Sequence, residues 1–261
     1  MRRVARDHRL LAVVVPRRRR GLREFARRVL QRSENSLAGL KAPLIDITEA
    51  PIFRPDVIVV ASFPKIIPAE ILAVARFGAL NMHMSLLPRH RGPDPLFWTY
   101  WQDDRDAGAT VHWVNECIDA GDIAAQEAIP LTRGLASREA YMQLTTIGVE
   151  LLARVLGQIA AGHTPRAPQD GARSTYESAA DIARARVPFA QWPAERVWHV
   201  LSGLGDQRSG LIADATGCAL AHGRATGYRT SQDVEPGRIA LAQSGYELHC
   251  RDGVVAVRHR A

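Results

Sequence analysis

The sequence predicts an α/β protein, with a mostly parallel sheet in its first part and a smaller β-barrel behind it. Three observations carry this. Short continuous apolar runs, Leu10 to Val15 and Asp56 to Ala61, have the length and composition of strands buried on both faces, which is how parallel strands read. Helical patterns alternate with them, at Leu22, Phe25, Val29 and Leu30 and again over Ser137 to Ile159. From Gly210 to Val257 the chain breaks into short β-prone pieces at Gly217, Gly223, Gly227, Gly237, Gly245 and Gly253, a spacing that suggests a small barrel.

Composition sets the outer limits. With 261 residues, 46% of them hydrophobic and 23% charged, the chain has material for one large or two small domains around a substantial core. Cys117, Cys218 and Cys250 are odd in number and far apart, which argues against a disulfide framework and against a clustered metal site, and fits a reducing cytoplasm. No run approaches the roughly eighteen apolar residues of a membrane span. The run at Leu10 is too short, and lacks the small-residue cleavage site, for a signal peptide. A soluble, cytoplasmic protein is expected. The net charge of +7 comes from arginine, since Lys41 and Lys65 are the only lysines. Such a charge favours anionic partners, phosphate-bearing substrates or RNA among them, without choosing one.

In chain order, Pro16 ends the first strand and the four arginines Arg17 to Arg20 follow, either a solvated helix start or an anion site. Leu44 to Ile47 is a short extended piece. The strand Asp56 to Ala61 runs into Ser62 to Pro68, an apolar loop at the strand end, where open α/β sheets place ligands. Pro68 suits the first turn of a helix through Val74. Ala79 to Met82 reads as the end of a further strand, closed by Leu86-Leu87-Pro88 and by the turn residues Arg91 to Pro95. Pro95 to Trp101 is a short helix whose Phe97, Trp98, Tyr100 and Trp101 either pack in the core or wall a substrate, with core packing expected for at least two. Ala109 to Val114 and Ile123 to Ile129 are strands. A long amphipathic helix then runs from Ser137, its expected cap, to Ile159, and Gly162 ends it. Between His163 and Thr175 the composition turns to Pro, Gly, Arg and Gln, which places a domain boundary near Pro165 and divides the chain into 1–164 and 165–261. Pro193 to Leu204 is a helix leading into the short strands.

One stretch, Gly78 to Ile129, concentrates the polar chemistry. Residues two apart on a strand share a face, so Asn81 and His83 point the same way. A carboxamide and an imidazole side by side are two donors for one developing negative charge, and imidazole also passes protons near neutral pH. Asp119 lies in the loop Asn115 to Asp122, which is expected to fold back and orient the imidazole by charge pairing. Taken singly these residues have plainer readings. A histidine near a strand end is more often a hydrogen-bonded structural residue, Asp119 and Asp122 suit a turn, and Arg89, His90 and Arg91 suit a solvated basic loop.

Their ordered co-occurrence favours a site. The run Asn-x-His-x-Ser-Leu-Leu-Pro at Asn81 to Pro88, then Arg91-Gly92, Gly-x-Thr-x-His at Gly108 to His112, and Asp-x-Gly-Asp-Ile at Asp119 to Ile123 resembles the formyltransferases that use 10-formyltetrahydrofolate. The likeness extends from about Arg54 to Gly162. It implies a Rossmann-like first domain, a catalytic trio of Asn81, His83 and Asp119, and no metal. Folate contacts are implied from Phe63, Ile66, Ile67 and Pro68, from Ser85, Leu86 and Leu87, and from Cys117 and Ile118, and acceptor contacts from Arg91 and Gly92. The chain departs from the family at its start, where the usual first strand and small-residue turn are expected to be missing. It departs again at Gly205 to Ser209, where an Asn-Pro-Trp-Pro type segment is usual. The second part is similar, more weakly, to the carboxy-terminal domain of the tRNA-directed and sugar-directed members.

The resemblance implies transfer of a formyl group to a primary amine. An amino sugar or natural-product amine is preferred as acceptor over initiator tRNA, because both departures fall where relatives hold tRNA. Hydrolase relatives share the trio and a stretch similar to Gly-x-x-Pro-Arg-x-Pro-Gln at Gly162 to Gln169. A folate hydrolase or a non-catalytic folate-binding protein is therefore the rival reading. The sequence says nothing of oligomeric state.

Overall fold

The computed structural model describes residues 8–14, 44–208 and 210–259. The arginine run at Arg17 to Arg20, the helical pattern at Leu22 to Leu30 and the last residue of the first predicted strand, Val15, lie outside the described residues. Two compact units are formed. One comprises 1–83, 109–127 and 146–170, the other 84–108, 128–145 and 171–261.

In the first unit, β1 (Val13–Val14) pairs in parallel with β2 (Leu44–Ile45). A 3-10 helix, Ile47–Phe53, follows. Asp46 caps it, its side chain accepting from the Thr48 backbone N–H while Glu49 reaches back to the Asp46 N–H. β3 (Val57–Val60) then lies parallel to β4 (Gly78–His83), and β4 lies antiparallel to β5 (Asp106–Trp113). β6 (Ile123–Pro130) is the fourth strand, in the order β3-β4-β5-β6. The described four-stranded sheet is thus mixed, whereas a mostly parallel one was expected. The parallel pair needs a crossover, here carrying α1 (Ala69–Leu72), while β5 returns in the opposite sense. Pro68 sits one position before α1 as its N-cap, and the helix is shorter than the sequence suggests.

The long helix α3 (Ser137–Ala160) belongs to the first unit from Thr146 onward. Its Leu151, Leu152, Val155 and Ile159 are buried, following the 3.6-residue period of an amphipathic helix. Gly162, at φ +87, closes it: its N–H bonds Ile159 O and the His163 N–H bonds Gln158 O, the paired pattern of a left-handed C-cap. Ser137 does not act as the cap expected of it. The helix already includes this residue, and its buried hydroxyl has no hydrogen-bond partner among the described residues.

The second unit holds α2 (Pro95–Trp101), α4 (Ala179–Arg184), α5 (Ala194–Leu204) and a separate antiparallel sheet. Phe97, Trp98 and Tyr100 of α2 are all buried, so three of its four aromatic residues serve the core. Tyr100 donates its hydroxyl to Leu135 O at 2.7 Å and stacks on His199 of α5. Four strands, β7 (Ala225–Thr230), β8 (Ile239–Ala242), β9 (Gly245–Cys250) and β10 (Gly253–Arg258), are ordered β7-β10-β9-β8. Their number and spacing match the glycine-broken pattern, and α5 packs on β7 and β10. α4 was not foreseen, although Ser178 and Asp181 form a reciprocal capping box that a Ser-x-x-Asp pattern advertises.

Candidate active site

The register of β4 against β5 builds the site. Asn81 lies opposite His112 and His83 opposite Thr110, so four polar side chains share one face of an otherwise apolar strand pair. On the other face Leu80, Val111 and Trp113 are buried. Asp119 reaches this patch from the loop after β5.

Asn81, His83 and Asp119 are brought together. The His83 Nδ1 stands 3.6 Å from Asp119 Oδ2, an ion-pair distance longer than a hydrogen bond. Asn81 Nδ2 donates to Asp119 Oδ1 at 3.3 Å and lies 3.1 Å from His112 Nε2. Both His83 and Asp119 are largely withdrawn from water, with 7% and 13% of their side-chain surface exposed. A charge here is therefore screened little by solvent.

His112 is the member that sequence reasoning quoted in a motif and gave no role. It is buried, and its Nδ1 lies 2.9 Å from the Trp113 carbonyl. A carbonyl only accepts, so Nδ1 carries the hydrogen. His112 Nε2 faces both Asn81 Nδ2, at 3.1 Å, and Asp119 Oδ1, at 3.4 Å. The Asn81 amide lies between His112 and Asp119, and the two contacts set its rotamer. The place of His112 follows from the β4–β5 register, which sets it opposite Asn81 and which no local feature of the sequence gives.

The Asp119 loop is held closely. Asp119 has φ +51, in the left-handed region, which aspartate accepts more readily than most residues with a side chain. The loop end is tied to β5 by the Trp113 N–H to Asp122 O bond of 2.8 Å. At Gly121 a Cβ would stand 1.8 Å from Trp113 O, so no other residue fits that approach. Gln169 completes the hold, its Nε2 donating to Asp119 O at 2.9 Å and to Gly121 O at 2.7 Å.

Also in the first unit, a cleft of about 580 Å³ is lined by Ala69, Leu72 and Ala73 of the α1 region, Gly78 and Ala79 of β4, and Val114 to Cys117 after β5. Its size suits a small-molecule ring system, and its lining is mainly apolar. Ala79 precedes Asn81 by two residues and Cys117 precedes Asp119 by two, so the cleft and the polar cluster share their two supporting segments. Of the folate contacts expected in this unit, Cys117 lines the cleft, whereas Phe63, Ile66, Ile67, Pro68 and Ile118 do not. Ile66 is 83% exposed and Ile118 47%.

The remaining expected contacts belong to the second unit. Ser85 is fully buried and donates its hydroxyl to Arg89 O at 2.8 Å, and Leu87 is buried in the core. Leu86 is half-buried. Arg91 pairs as a bridge with Tyr176, and a Cβ on Gly92 would stand 2.7 Å from Glu177 O. These bonds tie the Arg89–Gly92 loop to the segment 175–177. Among the described residues no group of three His, Cys, Asp or Glu side chains is placed to hold a metal ion, and no helix is long and apolar enough to cross a membrane.

The family model described as formyl transferase matches residues 45–156. A methionyl-tRNA formyltransferase of Syntrophus aciditrophicus is 30% identical over 224 residues, covering 84% of this chain and 70% of that protein. The methionyl-tRNA formyltransferase of Moorella thermoacetica is 34% identical over 193 residues, covering 72% of this chain and 61% of its own length, so this chain spans less than two thirds of that relative. Among solved structures, an N-formyltransferase of Helicobacter canadensis, in complex with folinic acid and dTDP-3-aminofucose, superposes with a TM-score of 0.69 at 16% identity, over 87% of this chain and 82% of that one. A likeness at that identity speaks for the fold.

Proposed function

Because the chain belongs to the formyltransferase family, we propose that it transfers a formyl group from 10-formyltetrahydrofolate to a primary amine, and that Asn81, His83 and Asp119 carry the reaction. The single observation behind this is the convergence of Asn81 and His83 on the Asp119 carboxylate, at 3.3 and 3.6 Å, on segments that also line an apolar cleft. The folate supplies the formyl group. The cleft from Ala69 to Cys117 is the proposed seat of its flat ring, with Phe63, Ile66, Ile67, Pro68 and Ile118 as outlying contacts.

The protein's part is positioning and charge stabilisation. As the amine nitrogen bonds the formyl carbon, negative charge grows on the formyl oxygen. Asn81 donates to it through the hydrogen now directed at Asp119, the longer of its two contacts, since catalytic hydrogen bonds often tighten only once substrate is bound. His83 donates from Nε2, the ring nitrogen on the far side from Asp119. Asp119 holds the imidazole in the protonated, correctly turned state. When the bond from the formyl carbon to the folate nitrogen breaks, the amine's proton goes to that nitrogen, with Asp119 as relay. Arg91 and Gly92 are proposed acceptor contacts. Division of the chain near Pro165 into a catalytic domain and a smaller barrel-type domain is part of the same proposal, as is a cytoplasmic setting.

For the acceptor, an amino-sugar nucleotide or another small-molecule amine is favoured by the departure from the family pattern at Gly205 to Ser209. A second reading, initiator tRNA, is favoured by the names of the two curated relatives. The test is mass spectrometry of candidate amines incubated with protein and donor, amino-sugar nucleotides and aminoacylated initiator tRNA among them. A gain of one formyl group on a sugar supports the first reading, and the same gain on tRNA selects the second. Formate release without any formylated amine would select the hydrolase. Replacing His83 by alanine is expected to lower turnover by about two to four orders of magnitude with the fold intact. Near-wild-type turnover in that variant refutes the assignment.

A further inference from the structure

We propose that Gln169 is a positioning residue for the Asp119 carboxylate, acting across some fifty residues of sequence through the backbone of the catalytic loop. The proposal rests on the formyl-transfer reading for its catalytic consequence, though the geometry stands independently. Gln169 directs both Nε2 hydrogens at the loop, 2.9 Å to Asp119 O and 2.7 Å to Gly121 O. Those carbonyls belong to Asp119 itself, at φ +51, and to Gly121 two residues on, in the same turn. A carboxamide with both hydrogens committed has one orientation, and it fixes two points of the loop relative to each other.

Gln169 is itself anchored. The segment before it is laid along the sheet: Ala167 exchanges both backbone hydrogen bonds with Ile123, at 2.8 and 2.9 Å, and Trp113 Nε1 donates to Pro165 O at 2.8 Å. The Arg166 guanidinium stacks over the Trp113 ring at 3.9 Å from its centroid. The stretch Gly162 to Gln169 therefore leaves the end of α3, docks on β5 and β6, and brings the carboxamide up to the loop. Without the two donors, the carbonyls of Asp119 and Gly121 lose their common anchor, and the carboxylate is free to move off the Nδ1 of His83. A misplacement of about 1 Å can cost about a hundredfold in rate.

The expected result for Gln169→Ala is a fall in kcat of about 10- to 100-fold, with the KM for the folate donor changed less than about threefold. Gln169→Glu, which preserves size but offers no hydrogens to the two carbonyls, is expected to lose the same activity, and serves if the alanine variant folds poorly. Added to Asp119→Asn, either substitution should cost less than about twofold further, because residues acting through one group are not additive. A full-sized additional loss in the Asp119→Asn background overturns the proposal, as does an unchanged kcat. The readout independent of turnover is NMR of the labelled His83 ring. Its resonances should move in Gln169→Ala in the direction that Asp119→Asn moves them, and unmoved resonances overturn the proposal. If the wild-type protein formylates no amine, the functional reading fails, and the NMR comparison still decides the positioning role.

Discussion

Replacing Asp119 by asparagine isolates the charge at the centre of the site. The change is nearly isosteric, and asparagine tolerates φ +51 about as well as aspartate does, so the backbone has no reason to move. In the native protein His83 Nδ1 faces a carboxylate oxygen 3.6 Å away. At an effective dielectric near 20 that separation corresponds to about 4–5 kcal/mol between unit charges. Only the part that grows as His83 takes up charge in the transition state affects kcat, and desolvation of both groups offsets some of it. About 2–4 kcal/mol remains, a fall of roughly 30- to 1,000-fold in kcat. Asparagine does more than remove charge. If its Oδ1 keeps the bond from Asn81, its Nδ2 hydrogens point at His83 Nδ1, which then serves as acceptor, so the ring still donates from Nε2 but as a neutral imidazole without the positive charge. Single-turnover formyl transfer, followed by mass and repeated across pH, reads both effects. A rate within about threefold of wild type, or an unaltered pH profile, would show that the carboxylate does not act through the imidazole.

Two further outcomes follow from packing. His199 is fully buried, accepts the Gly134 N–H at Nδ1, and has its pKa pushed down to about 4, by burial first and by the nearby Arg133 charge second. Between about pH 6.5 and 4 the unfolded chain therefore takes up a proton that the native protein refuses. Stability is full above that window and falls through it as the pH drops, by about 3 kcal/mol in all. Denaturant titrations from pH 7 to 4 should show this slope, and His199→Gln should flatten it. An equal slope in that variant refutes the linkage. At Gly121, alanine would drive a Cβ to 1.8 Å from Trp113 O. Gly121→Ala is expected to cost about 1–3 kcal/mol and to displace the Asp119 loop, so that melting temperature and turnover fall together. A melting temperature unchanged from wild type would contradict the close approach.

What was legible in the sequence was whatever local rules determine. The apolar run at Val57–Val60, the alternation in Asp106–Trp113, the long apolar stripe from Ser137 and the glycine-broken strands of the second sheet each announce an element within a few residues. Pairing was less legible. Nothing local to Ala107–Val111 tells whether that strand enters the sheet parallel or antiparallel to β4, and the expectation of a mostly parallel sheet failed there. Caps are unevenly legible. Ser137 has the right side chain but already lies inside the helix, whereas the reciprocal boxes at Asp46 and Ser178 precede helices too short to show an apolar period.

The site divides along the same line. Asn81 and His83 are two apart on one strand, so their shared face follows from the pleat alone. His112 and Gln169 enter only through tertiary geometry: one through the β4–β5 register that sets it opposite Asn81, the other through the docking of Pro165–Gln169 on β5 and β6. Neither could be assigned a task by side-chain chemistry, since a buried histidine and a half-buried glutamine are ordinary residues. Their task is to remove freedom. His112 meets the Asn81 amide and so fixes which way it faces, while Gln169 donates to the carbonyls of Asp119 and Gly121 and so fixes where the Asp119 carboxylate stands. The groups expected to touch substrate were thus readable from type and spacing. The groups that orient them are visible only where strands from distant parts of the chain meet, because orientation belongs to the pair of elements and to neither one alone.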